Sequence, residues 1–258
     1  MSAPAVALVT GAGGGIGRAV VRTFLEAGTS VALVDAEDRF LSHTADLAAE
    51  FPDLTVRAYT ADVTRTDQVA TLPDRIAADF GRLDALALVA GTVQTAAGIA
   101  ELTPAEWRRV IDVNLTGAYE MSHALVPLLR QDGGGSLTAV SSWWGRYGHA
   151  FFAAYCAAKA GLIVFTQALA DELAPHVRAN TVCPGNIDTA MHRAALESEA
   201  AERGVTFEEI KKSEWAKIPL EKAGSPQDIA NAIVFLSSPA AAYITGASLD
   251  VNGGVVYH

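Results

Sequence analysis

The chain has 258 residues, half of them hydrophobic, which is enough for one α/β domain with a large buried core or for two small ones. Lys and Arg number 19 against 29 Asp and Glu, a net charge of −10 with no basic block, which argues against binding a polymer of phosphates or an anionic membrane surface. Cys156 and Cys183 show no metal-ligand or disulfide spacing, no Lys or Arg precedes Arg18, and no run approaches the roughly 20 apolar residues of a bilayer span; a soluble, cytoplasmic protein without a metal is expected.

The first predicted strand, AVALVT at 5–10, runs straight into TGAGGGIG and then into a helical pattern. A strand, a glycine-rich turn and a helix start together make an anion site, because free backbone N–H groups and the positive helix end face the ligand and a Cβ would block its approach. The spacing is T-G-x-x-x-G-x-G, with Gly11, Gly15 and Gly17 at the fixed positions. Gly13 and Gly14 fall in the variable part and are expected to add only flexibility, so that Gly15→Ala should weaken nucleotide binding far more than Gly13→Ala.

The second strand, SVALVD at 30–35, ends on Asp35. A carboxylate there can accept both ribose hydroxyls of an adenosine and repel a 2′-phosphate, which favours NAD over NADP; Arg39 is near enough to compensate a phosphate and keeps NADP open. Further apolar runs follow at 55–60, 83–90, 135–142 and 177–183, spaced by helical patterns, with a last strand in ASLDVNGG at 247–254. Strands alternating with helices predict a single-domain, doubly wound α/β fold, a parallel sheet of about seven strands with helices on both faces. Thr103, Pro104 and Glu106 form a capping box opening one long helix towards Leu129, and Ser225, Pro226 and Asp228 open another. The charged stretch 188–222 breaks the alternation and reads as one or two short helices inserted over the sheet as a lid.

YCAAK places Tyr155 and Lys159 four residues apart on one helix face, after Ser142 at the carboxyl end of the fifth strand. A tyrosine is too weak a base near neutrality, at a pKa of about 10, unless a neighbouring ammonium stabilises its phenolate. With that help Tyr155 can exchange a proton with an alcohol or carbonyl oxygen.

TGAGGGIG, Asp35, AD before Val63, AG at 90–91, VNLTG with Asn114, Ser142, YCAAK and CPGNIDT occur in the order found in short-chain dehydrogenases/reductases. The chain resembles that family over essentially its whole length. The resemblance implies hydride transfer between a nicotinamide and a carbon bearing hydroxyl or carbonyl. Tyr155 is then the general acid/base, Lys159 lowers its pKa and holds the nicotinamide ribose, Ser142 orients the substrate oxygen, and Asn114 anchors a relay water. Gly11, Gly15, Ile16 and Gly17 would line the pyrophosphate, Asp62 and Val63 the adenine, and Ala90 and Gly91 the adenine-side ribose. Pro184, Gly185, Ile187 and Thr189 would close over the nicotinamide. The chain departs from the family at LVAG, where Leu88 and Val89 replace the usual asparagines that brace the sheet.

Gln94, Trp144, His149, Met191, His192 and Trp215, on the loops at the carboxyl edge, are candidate substrate contacts. The C-terminal third looks most like polyol, sugar-alcohol and diol dehydrogenases, which implies NAD-linked oxidation of a small secondary alcohol to a ketone. The alternatives are an NADPH-dependent 3-oxoacyl-thioester reductase and a nucleotide-binding regulator without turnover. Family members are usually homotetramers, and the same assembly is expected here.

Overall fold

The computed structural model describes residues 5–131 and 133–257, with the side chains at 191, 194, 195, 198, 199 and 202 left out. Seven strands form one sheet: β1 Val6–Thr10, β2 Ser30–Asp35, β3 Val56–Thr60, β4 Ala85–Leu88, β5 Gly135–Val140, β6 Val177–Pro184 and β7 Ser248–Val251. All pairs are parallel, in the order β3-β2-β1-β4-β5-β6-β7. The winding reverses between β1 and β4, which opens a crevice at the carboxyl ends of those strands.

Alternation along the strands divides the core. Leu8, Ala32, Val34 and Leu86 face one layer, with Met121, Leu125 and Leu162. Ala7, Val9, Val31 and Leu33 face the other, with Val20, Val21, Phe24, Ile229 and Ile233. Both faces are apolar because both are covered, and this is why the strands read as continuous hydrophobic runs rather than as a two-residue alternation. The second layer is supplied by helix α1 (Gly15–Glu26) and, at the far end of the chain, by a helix at Pro226–Ser237. Between β2 and β4 lie a 3₁₀ turn at Asp38–Leu41, α2 (Thr44–Glu50), α3 (Thr66–Val69) and α4 (Leu72–Phe80).

The single helix expected from Pro104 to Leu129 is divided. Helix α5 (Pro104–Ile111) passes through a π turn at Asp112–Thr116 into α6 (Gly117–Leu129). The capping box reads only partly: Thr103 accepts the Glu106 N–H, whereas the Glu106 carboxylate turns to Thr95 and Arg109. Helix α7 (Ala153–Leu173) is 21 residues long with a mean hydropathy of 1.4, enough by length and composition to cross a membrane, which corrects the expectation that no segment is. Here it lies against the sheet and buries Leu162, Ile163 and Leu173.

The 188–222 stretch forms α8 (Ala190–Arg203) and α9 (Phe207–Trp215), which share a small core of Leu196, Ala200 and Ile210. Thr206 and Glu209 cap α9 reciprocally, and Ser225 and Asp228 do the same for α10 (Pro226–Ser237). Residue 224 ties the stretch back to the sheet edge, where Gly224 bridges Ile187 and the Gly224 carbonyl accepts the Asp188 N–H.

Candidate active site

The glycine turn follows from close packing. Gly11 has φ of +64°, a conformation that favours glycine, and a Cβ on it would lie 2.9 Å from the Ala90 Cα. A Cβ on Gly17 would lie 2.0 Å from the Gly11 carbonyl oxygen, so the first turn of α1 can sit on the strand end only with glycine there. No side chain caps α1, and its opening N–H groups have no intrahelical acceptor. A Cβ on Gly15 would approach only the Thr189 side chain, at 3.3 Å, across the crevice from β6. Gly17 therefore meets Gly11, and Gly15 meets Thr189.

Gly13 is a correction. A Cβ there would lie 2.3 Å from the Phe40 carbonyl oxygen and 2.4 Å from the Phe40 Cβ, because the turn after β2 packs on this residue. Its N–H also donates to Asp35 Oδ2 at 2.8 Å, while Asp35 Oδ1 accepts from the Ala36 N–H at 2.8 Å. Gly13 is thus a structural requirement and not merely a flexible spacer. Asp35 is held facing the turn with one backbone donor on each oxygen, leaving lone pairs for a ribose. The Arg39 guanidinium pairs with Glu37 at 2.8 Å and covers the Phe40 ring. Asp62 turns its carboxylate onto the Thr64 N–H and hydroxyl, and Val63 is buried against Gly117. The glycine turn, the uncapped helix and the carboxylate at the end of β2 fit a dinucleotide.

Thr10 braces the turn after β4, where Leu88 and Val89 stand at the asparagine positions. Its hydroxyl accepts the N–H groups of Val89 and Ala90, each at 3.0 Å, so the β4 turn is braced from β1 and Val89 packs as an ordinary apolar residue. Pairing Thr10 to the turn after β4 needs the β1–β4 register, which spacing along the chain does not give.

Asn114 sits in the π turn and is 1% exposed. Its amide donates to the carbonyls of Thr92 and Val110 at 2.8 Å and accepts the Thr92 N–H at 3.2 Å. A Cβ on Gly91 would lie 2.9 Å from Asn114 Oδ1 and 3.3 Å from Lys159 Nζ, so these three meet at one point. Lys159 is buried and donates to the Val140 carbonyl at 2.9 Å. Burial lowers its pKa to about 8.

Tyr155 lies one turn before Lys159 on α7, with the ammonium 5.7 Å from its ring centre. Its phenol is pushed up to about 12 by desolvation, with a Ser142 hydrogen bond acting the other way and Cys156 adding to the rise. Burial is the largest of these effects. Ser142 lies two residues past the end of β5 and is buried, its hydroxyl also accepting the Trp144 N–H at 3.2 Å. The preceding Ser141 hydroxyl donates to the Lys159 carbonyl at 2.7 Å, which fixes the end of β5 to α7.

Trp144 and His149 reach the same place. Their rings stack at 4.2 Å, Phe152 lies 4.7 Å from Trp144, and Trp144 meets the Tyr155 ring edge-on at 6.0 Å. Gln94, His192 and Trp215 make other contacts. Gln94 is buried with its amide spent on the start of α7, which corrects its expected place as a substrate contact. His192 is in α8, where its backbone N–H donates to Thr189, and burial lowers its pKa. Trp215 ends α9 under the Lys211 ammonium at 4.5 Å. The Met191 side chain lies outside the described residues. Gly185 packs on Asn252, where a Cβ would lie 2.7 Å from its Cα, and Pro184 and Ile187 bracket it at the end of β6.

Residues 11–256 match the family described as enoyl-(acyl carrier protein) reductase. The chain is 37% identical over 252 residues to the cis-4-hydroxycyclohexanecarboxylate dehydrogenase of Sinomonas cyclohexanicum, covering 96% of this chain and 95% of that one. It is 33% identical to the 3-oxoacyl-[acyl-carrier-protein] reductase FabG of Thermotoga maritima over 97% of both. Among solved structures, an actinorhodin polyketide ketoreductase variant with NADPH superimposes with a TM-score of 0.93 at 29% identity, covering 99% of this chain and 98% of that one. An NAD⁺-bound xylitol dehydrogenase gives 0.90 at 28% identity, covering 97% and 98%. Sequence order, seven-stranded fold and full-length similarity agree: this chain belongs to the short-chain dehydrogenases/reductases and is an oxidoreductase acting on CH–OH groups.

Proposed function

We propose that this enzyme oxidises a small secondary alcohol of the polyol, sugar-alcohol or diol class to its ketone with NAD. The observation that carries the reading is the meeting of Ser142, Tyr155 and Lys159 at the carboxyl edge of the sheet, across from the glycine turn. A bound nicotinamide would supply the hydride acceptor. Gly11, Gly15, Ile16 and Gly17 would hold its pyrophosphate, Asp35 its adenosine ribose, Asp62, Val63, Ala90 and Gly91 the adenosine end. Pro184, Gly185, Ile187, Thr189, Tyr155 and Lys159 would hold the other end. Asp35 supports NAD because a fixed carboxylate repels a 2′-phosphate, and Arg39 shares its charge with Glu37.

The Ser142 hydroxyl and the Tyr155 phenol hold the alcohol oxygen. As the hydride leaves carbon, the alcohol proton passes to the Tyr155 oxygen, which must first be a phenolate. That form is scarce in so desolvated a site unless Lys159 is charged beside it. Asn114 keeps Gly91 and Lys159 together where a proton relay to solvent would begin. NAD is largely oxidised in cells, which drives the reaction towards the ketone. Segment 188–222 is proposed as a lid, since Thr189 at its base faces Gly15.

A panel of polyols, diols and hydroxy acids, assayed with NAD and NADP, tests this reading. The similarity to 3-oxoacyl reductases supports the rival, a thioester reductase using NADPH, and a marked preference for NADPH would establish that rival. Tyr155→Phe is expected to bind NADH as the unaltered enzyme does and to lose detectable oxidation. Full activity in that variant removes Tyr155 from the mechanism, and a chain that binds NADH but turns over no alcohol or ketone is the regulator.

A further inference from the structure

We propose that Gln94 is a positioning residue for Tyr155, acting through the N-terminus of the helix that carries it. Helix α7 starts at Ala153, and its flanking residue, Phe152, offers no side-chain acceptor to the first turn. The acceptor comes from the loop after β4. Gln94 Oε1 takes the N–H of Ala154 at 2.8 Å and of Tyr155 at 3.3 Å. These are the second and third helical positions, those that a capping side chain normally serves.

The other end of the same amide holds the turn before the helix. Gln94 Nε2 donates to the Phe151 carbonyl at 2.7 Å, which also accepts the Ala97 N–H at 3.1 Å. Phe151 has φ of +69°, a left-handed conformation that a bulky side chain adopts only when its surroundings impose it. Phe152, next in the chain, is the ring that leans on Trp144. One buried amide, 3% exposed, therefore sets both the first turn of α7 and the aromatic wall beside Tyr155.

Gln94 is itself held from both sides. Asn114 bonds both backbone groups of Thr92, Arg109 donates to the Val93 carbonyl at 2.8 Å, and Glu106 accepts the Thr95 N–H at 2.8 Å. The loop is a fixed reference, and Tyr155 is placed relative to it. Ser142 follows β5 and Tyr155 lies on α7, so their shared grip on an oxygen depends on where α7 begins. A displacement of about 1 Å at a reacting group can cost about a hundredfold in rate. Glutamine suits the position because acceptor and donor are needed at once. An ionised glutamate keeps only the acceptor, and methionine keeps only the volume.

The proposal rests on Tyr155 being the acid/base, so Q94M, Q94E and Tyr155→Phe are measured together against whichever alcohol or ketone the unaltered enzyme turns over. Q94M should lower kcat at least tenfold while KM and the Kd for NADH stay within about twofold. Amide exchange should quicken at Ala154 and Tyr155 but not in the C-terminal half of α7. Q94E, retaining the acceptor, should keep those two amides protected and recover part of kcat; it carries the test if Q94M does not fold. Unchanged kcat in Q94M despite faster exchange overturns the proposal, as does a kcat loss matched by lost NADH binding with Q94E no better. Retained oxidation in Tyr155→Phe overturns the acid/base reading instead, and the exchange measurement separates the two failures.

Discussion

A methyl group at Gly13 would lie 2.3 Å from the Phe40 carbonyl oxygen, whereas one at Gly15 would press only on a threonine methyl at 3.3 Å. Motif spacing ranks these glycines the other way. Gly13→Ala is expected to displace the turn after β2, free Asp35, and raise the Kd for NADH tenfold or more, at least as much as Gly15→Ala; fluorescence titration of both variants decides. At Tyr155 and Lys159 burial moves both groups away from their charged forms, the phenol up to about 12 and the ammonium down to about 8. Between pH 8 and the ordinary lysine range the unfolded chain carries a proton at Lys159 that the folded chain has released, so stability rises with pH there. Above about pH 10 the unfolded chain releases the Tyr155 proton that the folded chain keeps, and stability falls. Urea midpoints measured from pH 7 to 11 should show the rise in the unaltered protein and not in Lys159→Met.

Elements are joined by a few buried polar contacts whose partners are far apart in sequence. Thr10 is 1% exposed and satisfies two N–H groups of the β4 turn. Thr10→Val keeps the shape and leaves both donors unpaired, a cost of about 2 to 4 kcal/mol from the desolvation of two amides, readable in urea unfolding. Arg146 fastens the turn after Ser142 to β7 through Asp250 at 3.1 Å and the Ser248 carbonyl at 2.7 Å, with both side chains under 20% exposed. Such a pair is weak evidence for net stability, but breaking it from one side strands a carboxylate. The π turn teaches a related lesson. Residues 104–129 keep a helical pattern throughout, and nothing in periodicity marks the wide turn at Asn114, which depends on the β4 loop accepting and donating to its side chain.

For the whole molecule, the alternation of strands with helices and the order of the weak motifs were enough to read the sheet, its parallel pairing and the edge on which the site lies. Trp107, Tyr119, Val164, Tyr243 and Tyr257 remain large and exposed, on α5, α6, α7 and the C-terminal part of the chain. We propose that they are covered in a homotetramer, and sedimentation at working concentration should give four times the 27.0 kDa chain mass. A monomer would leave those faces unexplained and remove the proposal. What the sequence determined by itself is what depends on local pattern: the strand and helix periods, the glycine turn, the ends of β2 and β5 that carry Asp35 and Ser142, and the helical spacing of Tyr155 and Lys159. Only the tertiary structure decided that Gly13 backs onto Phe40, that Thr10 braces the turn after β4, that Gln94 caps a helix about sixty residues further on, and that burial raises the Tyr155 pKa. Each of these is a through-space contact or a desolvation, set by which distant segments the packed sheet brings within a few ångströms, and no spacing along the chain encodes it.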